Sequence, residues 1–343
     1  MRSYRTSKRR VIIGIIVAIA LIAAFGLVMY LIEHHGLLDE QFGDTGGWDE
    51  DEEQIEISLD DKDYFSDDKI DAYLLIGTDA GGKDMGENYN GTLADFLTLV
   101  LVDSTTEKYA FIQLDRNTIV EMEVPNDNGD FDTYEQQLCT AHWYGKTDEQ
   151  RNINTVEAVQ EVLGGLEIDH FYTISMEDLD AVNHALGGIT VDIQSDLTSV
   201  DPAFVQGTSV TLTDEQAEKF IRARMGVGEG TNQERMSRQT QYIQSAYNKM
   251  MGELKEHPEY INDIYEELKG KLQTDEESGD LSQLTNQMLQ YESQGIIRIE
   301  GKVREADTLG DGVLHEEFYP AEGAVYDALT KVINLEEIEV IEE

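Results

Sequence analysis

Residues Ala72–Asp79 read AYLLIGTD, and this stretch is the starting point for predicting the fold class. A continuous apolar run that ends at Gly77 is typical of a buried strand. Two more apolar runs follow, at Phe96–Val102 and Tyr109–Leu114, and the short polar segment between them predicts an antiparallel hairpin. Regular structure is therefore expected to begin near residue 72.

Helical and strand-like patterns are mixed along the rest of the chain. Thr213 and Gln216 have the spacing of a capping box, which predicts a helix start. Helices are predicted at Val156–Leu163, Leu179–Leu186, Thr213–Ile221, Gln233–Lys255, Glu259–Lys271, Leu281–Tyr291 and Ala321–Ile333, and strands at His170–Ile174, Ile189–Ile193 and Ile296–Ile299. The chain has no Gly-rich phosphate loop and no strict βαβ repeat, so the predicted class is α/β with a mixed sheet.

The N-terminus has the pattern of a membrane anchor. Residues 1–10 contain five basic and no acidic residues, and residues 11–32 are uncharged. A helix of that length spans about 33 Å, enough to cross a hydrocarbon core of about 30 Å. The positive-inside rule then predicts a cytoplasmic tail and an extracellular C-terminal domain. The alternative is a cleavable signal peptide, which this apolar run exceeds in length and for which no clear cleavage site follows.

Charge and cysteine content limit the class of protein. The formal net charge is −45, which disfavours binding to nucleic acid. Cys139 is the only cysteine, so an internal disulfide is excluded. The predicted organisation is an anchor followed by an acidic, largely disordered stalk at 33–70, a core at 71–255, and a C-terminal extension at 256–343 packed on that core.

Arginine is rare beyond the predicted membrane span, yet half of the eight arginines there fall between Arg222 and Arg238. Arg222 and Arg224 would face the same side of an extended segment. Arg235, Arg238 and Gln239 would share one face of a helix. Such a cluster could bind phosphate, because a guanidinium donates two parallel hydrogen bonds and stays charged. It could equally form salt bridges with neighbouring carboxylates, and the sequence leaves both interpretations open.

Several motifs in the same order resemble the LytR-CpsA-Psr family across about residues 71–250. They are LLIGTD at 74–79, ADFL at 94–97, QLDRNT at 113–118, ALGGI at 185–189, FIRAR at 220–224 and RMSRQ at 235–239. The resemblance implies an α/β/α arrangement with a central mixed sheet. It also implies a Gram-positive, membrane-anchored, extracellular transferase that moves a glycopolymer from a polyprenyl-pyrophosphate carrier to peptidoglycan.

The resemblance also implies roles for particular residues. Asp79 and Asp95 match carboxylates that hold Mg²⁺ or orient arginines, and oxygen ligands of this kind suit Mg²⁺. The residues matching the pyrophosphate-binding positions are Arg116, Arg222, Arg224, Arg235, Arg238 and Gln239. Arginines and a metal are suited to phosphoryl transfer, which depends on stabilising charge on phosphate oxygens. Asp95 is the first candidate for the general base and Asp115 the second.

The chain departs from the family pattern at four positions. Leu93 stands where an Arg is usual, Asn117 and Asn232 where Asp is usual, and Gln137 where Lys is common. Two basic and two acidic side chains are lost, which leaves the charge of the site about unchanged. The site is therefore interpreted as a coherent variant.

Two other functions compete with the transferase. The departures could mark a non-catalytic scaffold that binds polyprenyl phosphate or glycopolymer. A membrane-bound regulator is the second rival, disfavoured because the short tail before the span is too small for a DNA-binding domain. A third feature, His142 with Trp143 and Tyr144, could stack on a sugar or could belong to the core.

Overall fold

The computed structural model describes residues 55–79, 92–125, 131–175, 178–222, 232–257, 260, 264, 267–275, 287 and 289–338. The strands are β1 (Ile55–Leu59), β2 (Lys62–Ser66), β3 (Ile70–Thr78), β4 (Ala94–Asp103), β5 (Lys108–Leu114), β6 (Ile119–Pro125), β7 (Phe131–Gln137), β8 (His170–Ser175), β9 (Thr190–Asp192), β10 (Ser209–Thr211), β11 (Leu272–Thr274), β12 (Glu292–Arg298), β13 (Gly301–Ala306), β14 (His315–Pro320) and β15 (Glu336–Glu337). The α-helices are α1 (Asp148–Val162), α2 (Leu179–Ala185), α3 (Asp214–Arg222), α4 (Asn232–Glu256) and α5 (Ala324–Leu329), and a 3₁₀ helix spans Leu138–Trp143.

A six-stranded mixed sheet forms the centre of the fold, in the order β11-β8-β3-β4-β5-β12. The pairs β3–β4 and β4–β5 are antiparallel, which confirms the predicted hairpin. The strands β8 and β12 add in parallel to β3 and β5. Because of these directions, β3, β5, β8 and β12 end at the same edge of the sheet, where β4 begins. That edge is called the carboxyl edge below.

Both faces of the sheet are covered, as expected for strands that read as continuous apolar runs. Tyr73 and Leu75 on one face of β3 belong to a core cluster that includes residues of α2, α3 and α4. Leu74 and Ile76 on the other face belong to a cluster that includes residues of the 3₁₀ helix, α1 and α5. The predicted α/β class with a central mixed sheet is confirmed.

The predicted membrane anchor lies outside the described residues. Residues 1–54, which include the basic tail, the 11–32 span and the first part of the stalk, are not among them. Within the part of the chain that the structure describes, no helix is both long and apolar enough to cross a membrane. The anchor therefore stays a prediction.

The second part of the predicted stalk is folded, which corrects the disordered interpretation of 33–70. The strands β1 and β2 pair as an antiparallel hairpin, and β15 adds to β2. Ile57, Leu59 and Tyr64 are buried in the cluster on the α1 and α5 side of the sheet. The acidic composition of this segment favoured the disordered interpretation. Buried apolar positions nevertheless alternate with exposed polar positions in β1, as expected for a half-buried strand.

The predicted boundary at residue 255 is also corrected. The C-terminal extension does not simply pack on a finished core, because β11 and β12 are the two edge strands of the central sheet. Ile297 of β12 pairs with Ile112 of β5. A strand of a sheet takes its place through hydrogen bonds to a neighbour distant in sequence, and no local pattern encodes that pairing.

Substitution of Gly164 tests whether the β1–β2 hairpin packs against the rest of the fold. Its carbonyl accepts a 2.8 Å hydrogen bond from Ser58 N, and an added Cβ would lie 2.5 Å from Ser58 O. Gly165 also has positive φ, but no atom lies within 4 Å of an added Cβ. We expect Gly165→Ala to cost about 1–2 kcal/mol of left-handed strain, and Gly164→Ala to cost about 1–3 kcal/mol more from the clash with β1.

The measurement is chemical denaturation of both variants beside the parent chain. Equal losses of unfolding free energy in the two variants would contradict the docked hairpin.

Candidate active site

Asp95 occupies an irregular position at the carboxyl edge. Gly77 of β3 pairs with Phe96 of β4, but the next residue, Thr78, pairs with Ala94. Asp95 is therefore the extra residue of a β-bulge. Bulges change the direction of a side chain and are common beside active sites. This bulge directs an acid into the interior, where the Asp95 side chain is fully buried.

Arg116 lies where the β4–β5 ladder would continue. The register pairs Leu97 with Leu114, so two further steps place Asp95 opposite Arg116. A turn directly after β5 holds the arginine. In that turn, Asp115 Oδ1 accepts a 2.9 Å hydrogen bond from Asn117 N, and the Asp115 carbonyl accepts one of 2.9 Å from Thr118 N.

A buried ion pair joins the two residues. Arg116 Nη1 contacts Asp95 Oδ1, and the Arg116 side chain is 11% exposed. Burial acts to lower the pKa of Arg116, but Asp95, Cys139 and Asp79 act more strongly and raise it above its ordinary value. The guanidinium is therefore charged at every pH at which the protein is folded. A permanent cation held at a fixed position is the main requirement for binding an anion.

Cys139 is a partner of Arg116 that sequence reasoning missed. Arg116 Nη2 donates a 3.0 Å hydrogen bond to Cys139 Sγ, and Cys139 N donates one of 2.9 Å to the Arg116 carbonyl. Burial raises the pKa of the thiol to about 11, so the sulfur is neutral at physiological pH. Leu93 and Trp143 pack with Cys139 in a small apolar cluster. The sulfur that Arg116 contacts therefore has apolar neighbours, and no sequence motif marked this cluster.

Asp79 directly follows β3 and is hydrogen-bonded to Leu93, which directly precedes β4. Asp79 N donates a 3.0 Å hydrogen bond to Leu93 O, and Leu93 N donates one of 2.9 Å to Asp79 Oδ1. Asp79 is buried, and its charge helps to raise the pKa of Arg116. The structure thus brings together three residues predicted from the sequence: Asp79, Asp95 and Arg116.

Two of the departures from the family pattern contact each other. Gln137 Nε2 donates hydrogen bonds to Asn117 Oδ1 at 3.3 Å and to the Glu316 carbonyl at 2.7 Å. The two side chains thus form a neutral hydrogen-bonded pair beside the β5 turn.

The remaining predicted residues are described only in part. Arg238 lies on α4 and is buried. Arg235 and Gln239 also lie on α4, but their side chains, like that of Arg222, are outside the described residues, as is all of Arg224. Arg222 is the last residue of α3, so its backbone is helical. The prediction that Arg222 and Arg224 face the same side of an extended segment is therefore wrong for Arg222. The amphipathic run of α3 simply continues one residue further than expected.

The aromatic segment belongs to the interior. His142 Nδ1 lies 2.8 Å from Thr92 Oγ1, and its Nε2 lies 3.1 Å from Asn152 Oδ1. Burial lowers the pKa of His142, which favours the neutral ring. Trp143 is buried as well, so the core interpretation of this pair is favoured over a sugar platform.

Among the described residues, no group of three or more His, Cys, Asp or Glu is placed to hold a metal ion.

Asp95 and Arg116 should stabilise the fold only when both charges are present. Asp95→Asn leaves a buried guanidinium without its counter-charge, and Arg116→Met leaves a buried carboxylate. Each single change should cost about 3–5 kcal/mol of unfolding free energy. The double variant should cost clearly less than the sum of the single losses, because no unpaired charge remains. Chemical denaturation of the four proteins measures this coupling, and additive losses would contradict the pair.

Known proteins share both the sequence pattern and the fold. The sequence profile of the LytR_cpsA_psr family matches residues 45–320. Biofilm regulatory protein A of Streptococcus mutans is 28% identical over 197 residues, which is 55% of this chain and 46% of that protein. The polyisoprenyl-teichoic acid–peptidoglycan teichoic acid transferase TagU of Bacillus subtilis is 28% identical over 194 residues, 57% of this chain and 55% of that one.

The chain thus spans about half the length of these two relatives. The crystal structure of protein gbs0355 from Streptococcus agalactiae has the same fold, with a TM-score of 0.57 and 19% identity over 77% of this chain and 86% of that one. The family profile covers most of the chain, including β1 to β14. The chain therefore belongs to the LytR_cpsA_psr family.

Proposed function

We propose that the protein transfers a glycopolymer from a polyprenyl-pyrophosphate carrier to peptidoglycan. The observation that carries the proposal is the buried Asp95–Arg116 pair at the carboxyl edge, which presents a permanent cation in a site poor in water. The teichoic acid transferase among the relatives supports the same class of donor and acceptor. A single span at 11–32, with the catalytic domain outside the cell membrane, would place the enzyme beside both substrates.

The reaction is a displacement at phosphorus. A hydroxyl oxygen of peptidoglycan forms a bond to the phosphorus that carries the glycopolymer. The bond from this phosphorus to the bridging oxygen breaks, and polyprenyl phosphate leaves with the electron pair. Arg116 would stabilise the charge that grows on the phosphate oxygens, and the predicted arginines of α3, α4 and the segment between them would bind the remaining oxygens.

The hydroxyl proton must pass to a base. Asp95 is the first candidate, but its contact with Arg116 gives it an orienting role. Burial raises the pKa of Asp115, which makes this carboxylate a better proton acceptor than an aspartate in water. We therefore propose Asp115 as the base and Asp95 as the residue that positions Arg116.

Asp79 and Asp95 also fit the Mg²⁺ that the family resemblance implies. Their charges both act on Arg116, so each carboxylate lies within electrostatic reach of the same guanidinium. Mg²⁺ is usually held by one or two carboxylates together with substrate phosphates, and two acids meet that requirement. When bound, the ion would neutralise charge on the pyrophosphate. Asp79 and Asp95 would hold it while their hydrogen bonds to Leu93 N and Arg116 keep them oriented.

The proposal is tested by transfer of a short polyprenyl-pyrophosphoryl sugar to peptidoglycan fragments, using the full chain in detergent. Arg116→Lys keeps the charge but loses the planar fork, so turnover should fall by a factor of about 10²–10³. Arg304→Met is the matched control, because Arg304 on β13 lies over the ring of Tyr319 on β14 and not beside the ion pair. Its turnover should equal that of the parent.

The same assay separates the alternatives. If Asp79 and Asp95 hold Mg²⁺, chelation with EDTA should abolish turnover. Full activity in EDTA would mean that the two carboxylates serve only to orient arginines. The second candidate function is a scaffold that binds lipid-linked polymer, favoured by the neutral Asn117–Gln137 contact. Bound lipid without transfer from any of several donors would establish that function instead.

A further inference from the structure

Arg298 is the last residue of β12 and lies at the carboxyl edge. Its register partner in β5 is Gln113, two residues before Asp115. Because β12 runs parallel to β5, both strands end at the carboxyl edge, where Arg116 also lies. The family motifs quoted above all lie before residue 240, so none of them includes this strand.

The side chain of Arg298 connects three elements. Its Nε donates a 3.1 Å hydrogen bond to Gln113 Oε1 on β5. Its Nη2 donates a hydrogen bond to Thr240 Oγ1 on α4. A planar guanidinium holds two acceptors in a fixed relation, which a flexible ammonium cannot do. Arg298 therefore fixes α4 relative to β5 and to the edge strand β12.

The electrostatics of Arg298 tie it to the same turn as Arg116. Burial lowers the pKa of Arg298, while the charge of Asp115 acts in the opposite direction. Asp115 also acts on the neighbouring Arg116. One acid of the β5 turn thus lies within electrostatic reach of both arginines, although β12 follows that turn by more than 170 residues.

The contact at Thr240 bears directly on the predicted anion site. Thr240 directly follows Gln239, and the preceding turn and a half of α4 carries Arg235 and Arg238. Tyr242 and Ile243 are buried and hold the middle of this helix against the sheet. Two hydrogen bonds hold the helix nearer to its start: the one from Arg298 to Thr240, and one of 2.7 Å from Gln241 Nε2 to the Asp192 carbonyl.

We infer that Arg298 is a positioning residue that holds the first turns of α4 at the carboxyl edge, so that Arg238 of this helix meets the same pyrophosphate as Arg116. The inference rests on the proposed function, because it assumes that these side chains bind the pyrophosphate of the donor. It assigns a role in substrate binding to the C-terminal strand, outside the family motifs. Arg298 acts through α4 and does not itself touch the substrate.

The test measures binding of inorganic pyrophosphate by calorimetry, using the full chain in detergent with Mg²⁺ held constant. Arg298→Met keeps the apolar length of the side chain and removes its hydrogen bonds to Gln113 and Thr240. Thr240→Val removes the acceptor on α4 and should leave the fold intact. Each variant should bind pyrophosphate about tenfold more weakly, as expected for a lost hydrogen bond to a charged group. The double variant should be no weaker than Arg298→Met alone.

Two comparisons make the result specific to positioning. Arg304→Met should bind pyrophosphate as the parent does, since Arg304 contacts Tyr319. Arg298→Lys should restore only part of the affinity, because an ammonium retains the charge without the fork. A purely structural role would lower the melting temperature of Thr240→Val without changing its affinity for pyrophosphate.

The outcomes separate this inference from the proposed function. If the parent chain binds pyrophosphate and both Arg298→Met and Thr240→Val bind it within twofold of the parent, the positioning role is wrong and the proposed function stands. Additive losses in the double variant would also overturn the role, because independent effects add. If the parent chain itself does not bind pyrophosphate, the proposed function fails and the inference fails with it.

Discussion

Asp95 and Arg116 bring two opposite charges into the interior at the point where β3 and β5 end and β4 begins. Moving each charge out of water costs several kcal/mol, and only close contact offsets that cost. At about 4 Å, opposite unit charges attract by about 4 kcal/mol for an effective dielectric constant of 20. The bulge at Asp95 and the turn at Asp115 are the two backbone features that produce the contact. The arrangement of the carboxyl edge therefore depends on this pair.

The surroundings of the pair are apolar and neutral. Arg116 contacts the Cys139 sulfur, which packs with Leu93 and Trp143, and Asn117 and Gln137 form a neutral hydrogen bond nearby. An interaction between charges strengthens as water is excluded. These neighbours therefore strengthen the attraction of Arg116 for an anion.

Sequence patterns were sufficient for those parts of the fold that rest on local information. The apolar runs located β3, β4 and β5, and the capping box at Thr213 is confirmed by reciprocal hydrogen bonds with Gln216, of 3.2 and 3.3 Å. Long-range pairing was not predictable in the same way. The charge of residues 33–70 concealed the β1–β2 hairpin, and nothing near β12 indicated that it pairs with β5.

The same distinction applies to the candidate site. The family resemblance identified Asp79, Asp95 and Arg116, which the structure brings together. The contact between Arg116 and Cys139 depends on how the 3₁₀ helix packs against the β5 turn, so the sequence carried no sign of it. The contact of Arg298 with Gln113 joins residues separated by 185 positions and requires the register of two parallel strands.

The central claim is that the Asp95–Arg116 pair presents its guanidinium to a pyrophosphate. A crystal structure of the protein with geranyl pyrophosphate, a short and soluble polyprenyl donor, tests it most directly. The account predicts phosphate oxygens within about 2.7–3.2 Å of Arg116 nitrogens, with Asp95 still in contact with the same guanidinium. A pyrophosphate bound elsewhere, with no phosphate oxygen within hydrogen-bond distance of Arg116, would contradict the account.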